Sequence, residues 1–185
     1  YEFELMFINN NKSDLLDTFK LFSKFPFSLV HLLNSFSLYI NNKGNELVEN
    51  TEINKDPEKF IIKLIEMKKD IDLLVEVCFE NHVRFIDEKN NGFSSFMSKE
   101  ESYSILLCKY IDIYMKYRII GKNDSQIEDD FNDFMSILRY MSNKIWFLYL
   151  YNKLLSCRIL NESSVNLFAE KLLVTKLRSE LGNQL

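Results

Sequence analysis

The side chains able to do chemistry in this sequence are few and scattered. His31 and His82 are its two histidines, and they lie far apart along the chain. Cys78, Cys108 and Cys157 are separated just as widely. Acid–base or nucleophilic catalysis needs a base within hydrogen-bond reach of its target. A zinc site needs Cys or His pairs at short spacing. Neither pattern occurs. The four glycines are isolated, so no phosphate-cradling loop is encoded, and no serine sits in a nucleophile-elbow pattern. The acidic run Glu128-Asp129-Asp130 reads as the first turn of a helix, where the dipole favours negative charge. The histidines read as packed or surface side chains, and the cysteines as three buried thiols of a reducing compartment. These residues therefore predict no catalytic, cofactor-binding or metal site. A small enzyme with an unrecognised site is the weaker reading.

The elements available to position side chains are helices. The chain has 185 residues, of which 46% are hydrophobic, with 16 Phe and 9 Tyr. That supports an ordinary core and excludes disorder. Four Gly and two Pro are too few for the frequent turns of a sandwich or barrel. A net charge of −4, with both signs interspersed, disfavours nucleic acid binding. The longest apolar run, Ile145 to Tyr151, is too short to span a bilayer, and no signal-peptide pattern occurs, so no membrane is expected. The chain opens on Tyr1 rather than Met and is expected to be cut from something longer.

Apolar residues recur at helical spacing throughout. Phe60, Leu64, Met67, Ile71, Leu74 and Cys78 draw one stripe, opened by Asp56 as cap and Pro57 at the first helical position. An earlier helix is predicted from Pro26 to Gly44, with Gly44 as a left-handed cap, and a shorter one over Leu15 to Phe25. Tyr1 to Ile8 is the one, weak, strand candidate, and Phe85 to Met97 leans to helix. In the second half, Ser98 with Glu101 and Ser125 with Glu128 read as capping boxes. Tyr103, Leu107, Tyr110, Tyr114 and Tyr117 make one stripe; Ile127, Phe131, Phe134, Leu138 and Met141 make another. Lys144 to Leu160 carries apolar residues on all sides and is expected to be central. A last helix is predicted from Ser164 to Leu181, stopped by Gly182.

The stretch KIWFLYLYNKLLSCRILNESSVNLFAEKLLVTKLRSELG, Lys144 to Gly182, resembles the cullins, scaffold subunits of multisubunit ubiquitin ligases. The family segment runs Lys, acidic, any, Phe, three residues, Tyr, then Leu-Ala-basic-Arg-Leu. After a short Asn/Ser loop come Ala-Glu, a hydrophobic pair, Ser-Lys-Leu-Lys and Gly. The matching positions are Lys144, Phe147, Tyr151, Leu155, Arg158, Ser164, Ala169, Glu170, Lys176, Leu177, Arg178 and Gly182. Upstream, Lys109, Tyr110, Asp112 and Lys116 resemble another family helix, and Leu21 to Val48 and Phe60 to Met97 resemble the last cullin repeat. Ile145 stands where the family has an acid, Leu167-Phe168 where it has an acidic pair, and Ser156-Cys157 where it has Ala and a basic residue. Either the exposed face differs there, or the helix ends pack differently.

The resemblance implies an all-α, elongated fold. Residues 1–97 would be the last cullin repeat of the N-terminal stalk, and 98–185 a four-helix bundle opening the C-terminal region. It implies a non-catalytic, cytoplasmic or nuclear scaffold in ubiquitin-dependent protein catabolism. A RING-box subunit and a substrate adaptor would dock outside this segment. The other reading of the periodicity is a helical-rod subunit of a tethering or other multisubunit complex. Within the motif, Arg158 and Glu170 are charged positions in apolar surroundings, which predicts that they are partly buried and paired, with each other or with backbone; the other reading is two exposed charges.

Overall fold

The computed structural model describes residues 2–50, 55–99 and 102–182; of Glu2, Glu4 and Pro26 it describes the backbone only. Among the described residues the regular structure is helical and no strand occurs. The chain divides into two compact units, one of residues 1–51 and 63–96, the other of 52–62 and 97–185.

The first unit is built from α1 (Glu2–Ile8), α2 (Lys12–Phe22), α3 (Pro26–Glu49), most of α4 (Pro57–Phe79) and nearly all of α5 (Val83–Met97). The strand candidate at the N-terminus is instead α1, packed on α2 and α3. Its Phe7 is buried against Phe36 and Phe79, so tertiary burial decides the conformation of a segment too short to show a period. Phe19, Phe36, Phe79 and Phe85 complete an aromatic core, with Phe79 and Phe85 stacked at 3.9 Å. The start of α4 is as read: the Asp56 carboxylate accepts from the backbone N–H groups of Glu58 and Lys59.

Gly44 does not end α3, which continues to Glu49. Its role is contact: a Cβ on Gly44 would lie 2.7 Å from the Phe96 ring, and one on Gly92 of α5 would lie 2.7 Å from Ile40 Cγ2. Reciprocal glycines thus let α3 and α5 approach closely, and this proximity outweighs the poor helix propensity of glycine.

The second unit holds the first turns of α4 together with α6 (Ser102–Ile113), α7 (Asp124–Leu138), α8 (Lys144–Leu160) and α9 (Leu167–Leu181). In it α6 packs on α8 and α7 on α9. A single π-turn, Tyr114–Arg118, prolongs α6. The wider turn carries Tyr117 off the stripe of Tyr103, Leu107, Tyr110 and Tyr114, and leaves it 66% exposed. The capping box of α7 is Asn123 with Gln126, not Ser125 with Glu128. Helix therefore begins earlier than expected, and Glu128-Asp129-Asp130 lies beyond the first turn. The proposed box of Ser98 with Glu101 falls partly outside the described residues. The last helix starts at Leu167 rather than Ser164, capped by Asn166, whose side chain accepts from the Ala169 N–H at 3.0 Å.

Gly44→Ala is expected to destabilise the first unit. The usual gain of about 1 kcal/mol for Gly to Ala in a helix is outweighed by about 1–3 kcal/mol of overpacking against Phe96. Urea unfolding should show a lower midpoint; a raised midpoint would mean that the helices can separate freely.

Candidate functional site

The motif residues of α8 and α9 converge inside the second unit. Asn143 caps α8, its side chain accepting from the Trp146 N–H at 3.0 Å. That sets the phase in which Phe147, Leu148, Tyr151 and Arg158 face inward and are buried. Phe147 and Tyr151 lie parallel, and the Arg158 guanidinium sits 5.8 Å from the Tyr151 ring centroid.

Arg158 is fully inaccessible to water. Its Nε donates to Glu170 Oε1 at 2.7 Å and its Nη2 to Glu170 Oε2 at 3.0 Å, a bidentate pair. Nη1 donates to Asp112 Oδ1 on α6 at 2.8 Å. Two further donors reach the same carboxylates. Ser164 Oγ donates to Glu170 Oε1 at 3.1 Å, and Lys116 Nζ donates to Asp112 Oδ2 at 2.7 Å. Two cations and two carboxylates thus neutralise one another. Burial acts against the Arg158 charge, but the hydrogen bonds to Glu170 and Asp112 prevail and hold its pKa above the ordinary value. Burial, then the Glu170 charge, raises the Tyr151 phenol in turn.

The other motif residues divide between core and helix ties. Leu177 and Ala169 are buried, while Leu155 is half-buried. Lys176 Nζ donates to Glu128 Oε1 at 3.0 Å and to Asn132 Oδ1 at 2.8 Å, joining α9 to α7. Gly182 ends α9 with φ +74°, where its N–H donates to the Arg178 carbonyl at 2.9 Å. Half-buried Lys144 opens α8, and its charge helps to lower the Glu180 pKa; the larger cause is the bidentate Arg139–Glu180 pair, with both bonds at 2.8 Å. Sequence reasoning found Arg158 and Glu170 but missed Asp112 as the third member. Its signal was the Asp112–Lys116 spacing of four, which surface pairs share.

Two expectations fail on α8. Its unbroken apolar run does not make it central: Ile145 is 72% exposed, and Trp146 and Tyr149 stack on each other with solvent access. Three buried thiols were also expected, yet Cys157 is exposed. Helix geometry gives the reason. Residues 145, 149 and 160 lie on the face opposite Arg158, and no element covers that face among the described residues. Leu167 and Phe168 at the start of α9 are likewise 61% and 63% exposed. The departures from the family pattern are therefore changes of an exposed face.

This arrangement orders helices rather than activates a group. The Cys108 thiol donates to the Phe147 carbonyl at 3.4 Å, and burial pushes its pKa up to about 12. Among the described residues no three His, Cys, Asp or Glu side chains gather to hold a metal.

The geometry defines an all-helical protein whose second unit is registered by a buried ion cluster. Comparison with known proteins gives its family. The family described as cullin alpha solenoid domain matches residues 2–185. Human Cullin-4A is 29% identical over 174 residues, 94% of this chain and 22% of that protein. Cullin-3B of Arabidopsis thaliana is 25% identical over 97% of this chain and 24% of its own length. Cullin-1 of Oryza sativa subsp. japonica is 31% identical over 92% of this chain and 25% of its own. The chain belongs to the cullin family, and it spans about a quarter of the length of these relatives.

Arg158→Met is expected to cost about 3–5 kcal/mol, because Glu170 is left as an uncompensated buried charge. Arg158→Met with Glu170→Leu should recover part of that loss. Urea unfolding of the two variants measures this, and equal midpoints for Arg158→Met and the natural protein would place the pair outside the core energetics. A thiol reagent at neutral pH should modify Cys157 within minutes, and Cys78 and Cys108 only on unfolding, as peptide mapping would show.

Proposed function

We propose that this chain is a non-catalytic scaffold segment of a cullin-type ubiquitin ligase. In this reading residues 1–97 are the last cullin repeat of the stalk and 98–185 the four-helix bundle that opens the C-terminal region. The segment holds the substrate-adaptor end and the RING-bearing end of the whole protein at a fixed separation. Such a body accelerates transfer by raising the effective concentration of substrate near the conjugating enzyme. The RING-box subunit and the adaptor dock on other parts of the protein, which works in the cytoplasm or nucleus without nucleic acid or membrane partners.

The observation that carries the reading is where the shared register falls. Phe147, Tyr151, Arg158, Glu170 and Leu177 are inward-facing residues, so the similarity preserves packing and helix register. No helix among the described residues is long and apolar enough to cross a membrane.

The test is a pull-down with purified RING-box subunit, followed by a ubiquitin-transfer assay. The intact protein should bind and support transfer; residues 1–185 alone should do neither. By family resemblance the RING-box strand joins a sheet, and the described residues form no strand for it to extend. Tight binding by residues 1–185 would show that the docking surface is misplaced here. No binding by the intact protein would remove the ligase reading.

A further inference from the structure

The first unit holds a chemically reactive pair that no scaffold role uses. Asn91-Gly92 is the one Asn-Gly step in the sequence, and it lies well inside α5. In such a step the glycine nitrogen can attack the side-chain amide carbon of the asparagine, because glycine has no Cβ to crowd the approach. The attack closes a succinimide ring and expels ammonia, which carries off the glycine N–H proton. Water then opens the ring at either carbonyl. One opening leaves aspartate. The other leaves isoaspartate, whose main chain runs through the side chain and is longer by one carbon. In sum one water is consumed, one ammonia is released and a carboxylate appears; no oxidant or reductant is needed.

Both halves of the pair are set by the fold. Gly92 is buried, and a Cβ on it would lie 2.7 Å from Ile40 Cγ2 of α3, so the reactive glycine has no room for a side chain. Asn91 is exposed, so burial does not shield it from water. The helix shields it instead. Ring closure needs a main-chain rotation at Asn91 that helical ψ does not allow, and within α5 the amide of Gly92 is directed at the carbonyl of Glu88 four residues back.

That shield is tertiary in origin. A helix of 15 residues is marginal by itself, and Asn90, Asn91, Gly92, Ser94 and Ser95 are weak helix formers. What holds α5 is the burial of Phe85, Phe93 and Phe96 and the paired contacts of Gly44 with Phe96 and Gly92 with Ile40. We propose that Asn91-Gly92 is a latent deamidation site gated by the seating of α5 on α3, so that opening of the first unit is recorded by a covalent change that refolding cannot undo. Isoaspartate at this point interrupts the hydrogen-bond ladder in mid-helix and turns Phe93 and Phe96 out of phase with α3. The opened unit then cannot close as before.

The test incubates the intact protein in mildly alkaline buffer and follows residue 91 by peptide mapping and an isoaspartate assay. A synthetic peptide of residues 83–98 supplies the ungated rate. The peptide should react on the order of a hundredfold faster than the native protein, because only the open fraction of the protein reacts. Urea above the unfolding midpoint should bring the protein to the rate of the peptide. Ile40→Ala removes the packing against Gly92 and leaves the pair intact; it should speed the reaction of the native protein about tenfold or more. Asn91→Asp adds the charge without the extra carbon and should keep the urea midpoint, whereas isoaspartate-bearing protein should unfold at lower urea.

A native protein that reacts as fast as the peptide would overturn the gate, and no reaction in urea would overturn the site. An Ile40→Ala protein that stays folded and reacts no faster would remove α3 from the mechanism. If that variant is unfolded, its rate must equal that of the peptide, and a slower rate counts equally against the proposal. An unchanged midpoint for isoaspartate-bearing protein would refute the irreversible record.

Discussion

A guanidinium shut away from water has to be neutralised where it sits, and in the second unit that demand comes from Arg158. Leaving such a charge uncompensated costs several kcal/mol. The answering groups come from different elements: Glu170 from α9, Asp112 from α6. Each is held from behind, Glu170 by Ser164 of the preceding loop and Asp112 by Lys116 one turn on. An apolar seam tolerates sliding, because one methyl group replaces another. A bidentate pair does not: a one-turn slip of about 5.4 Å would break its bonds. The cluster therefore fixes the mutual register of three helices more sharply than the apolar contacts around it.

The first unit solves the same problem with shape. Its core is a group of phenylalanines, and its closest helix approach depends on two glycines meeting Phe96 and Ile40. Edge-to-face and stacked rings carry geometric preference without charge. The two units thus differ in what specifies them, and in how substitutions act. Added volume disturbs the first unit at the glycines, while lost charge disturbs the second at Arg158.

Most of the helices were legible because period needs only a count of apolar positions, and α4, with its Asp56 cap and Pro57, shows this well. What was illegible has a common cause in contacts distant along the chain. Gly44 resembles a helix stop until Phe96 is placed against it. The α1 segment is too short to carry a period and is helical because Phe7 has a core to enter. Tyr117 continues a stripe in sequence, but the π-turn breaks the phase. The apolar run of α8 gave no means of choosing the inward face, since every face reads alike; Arg158 and its partners make the choice. Of the candidate site, burial of Arg158 and Glu170 with some partner followed from charge in apolar surroundings, though not the choice between each other and backbone; Asp112 did not follow, because its spacing to Lys116 is that of a surface pair.

The direction of the shifted titrations bears on what such a protein can do. A general acid or base works best with a pKa near the working pH. Burial raises the thiols of Cys78 and Cys108, and with neighbouring carboxylates it raises the phenols of Tyr39, Tyr110 and Tyr114. Burial works against the Asp72 charge, yet hydrogen bonds from Lys68 and Lys89 lower its pKa. Arg139 lowers that of Glu180. Every one of these groups is driven away from neutrality and deeper into the protonation state it already has. Ile145, Leu167 and Phe168, which stand where the resembled family pattern has acids, are all exposed, while Arg158 and Glu170, which match that pattern, are buried and paired. The positions that depart from the family pattern thus lie on exposed faces, on a frame whose buried charges fix the register of its helices.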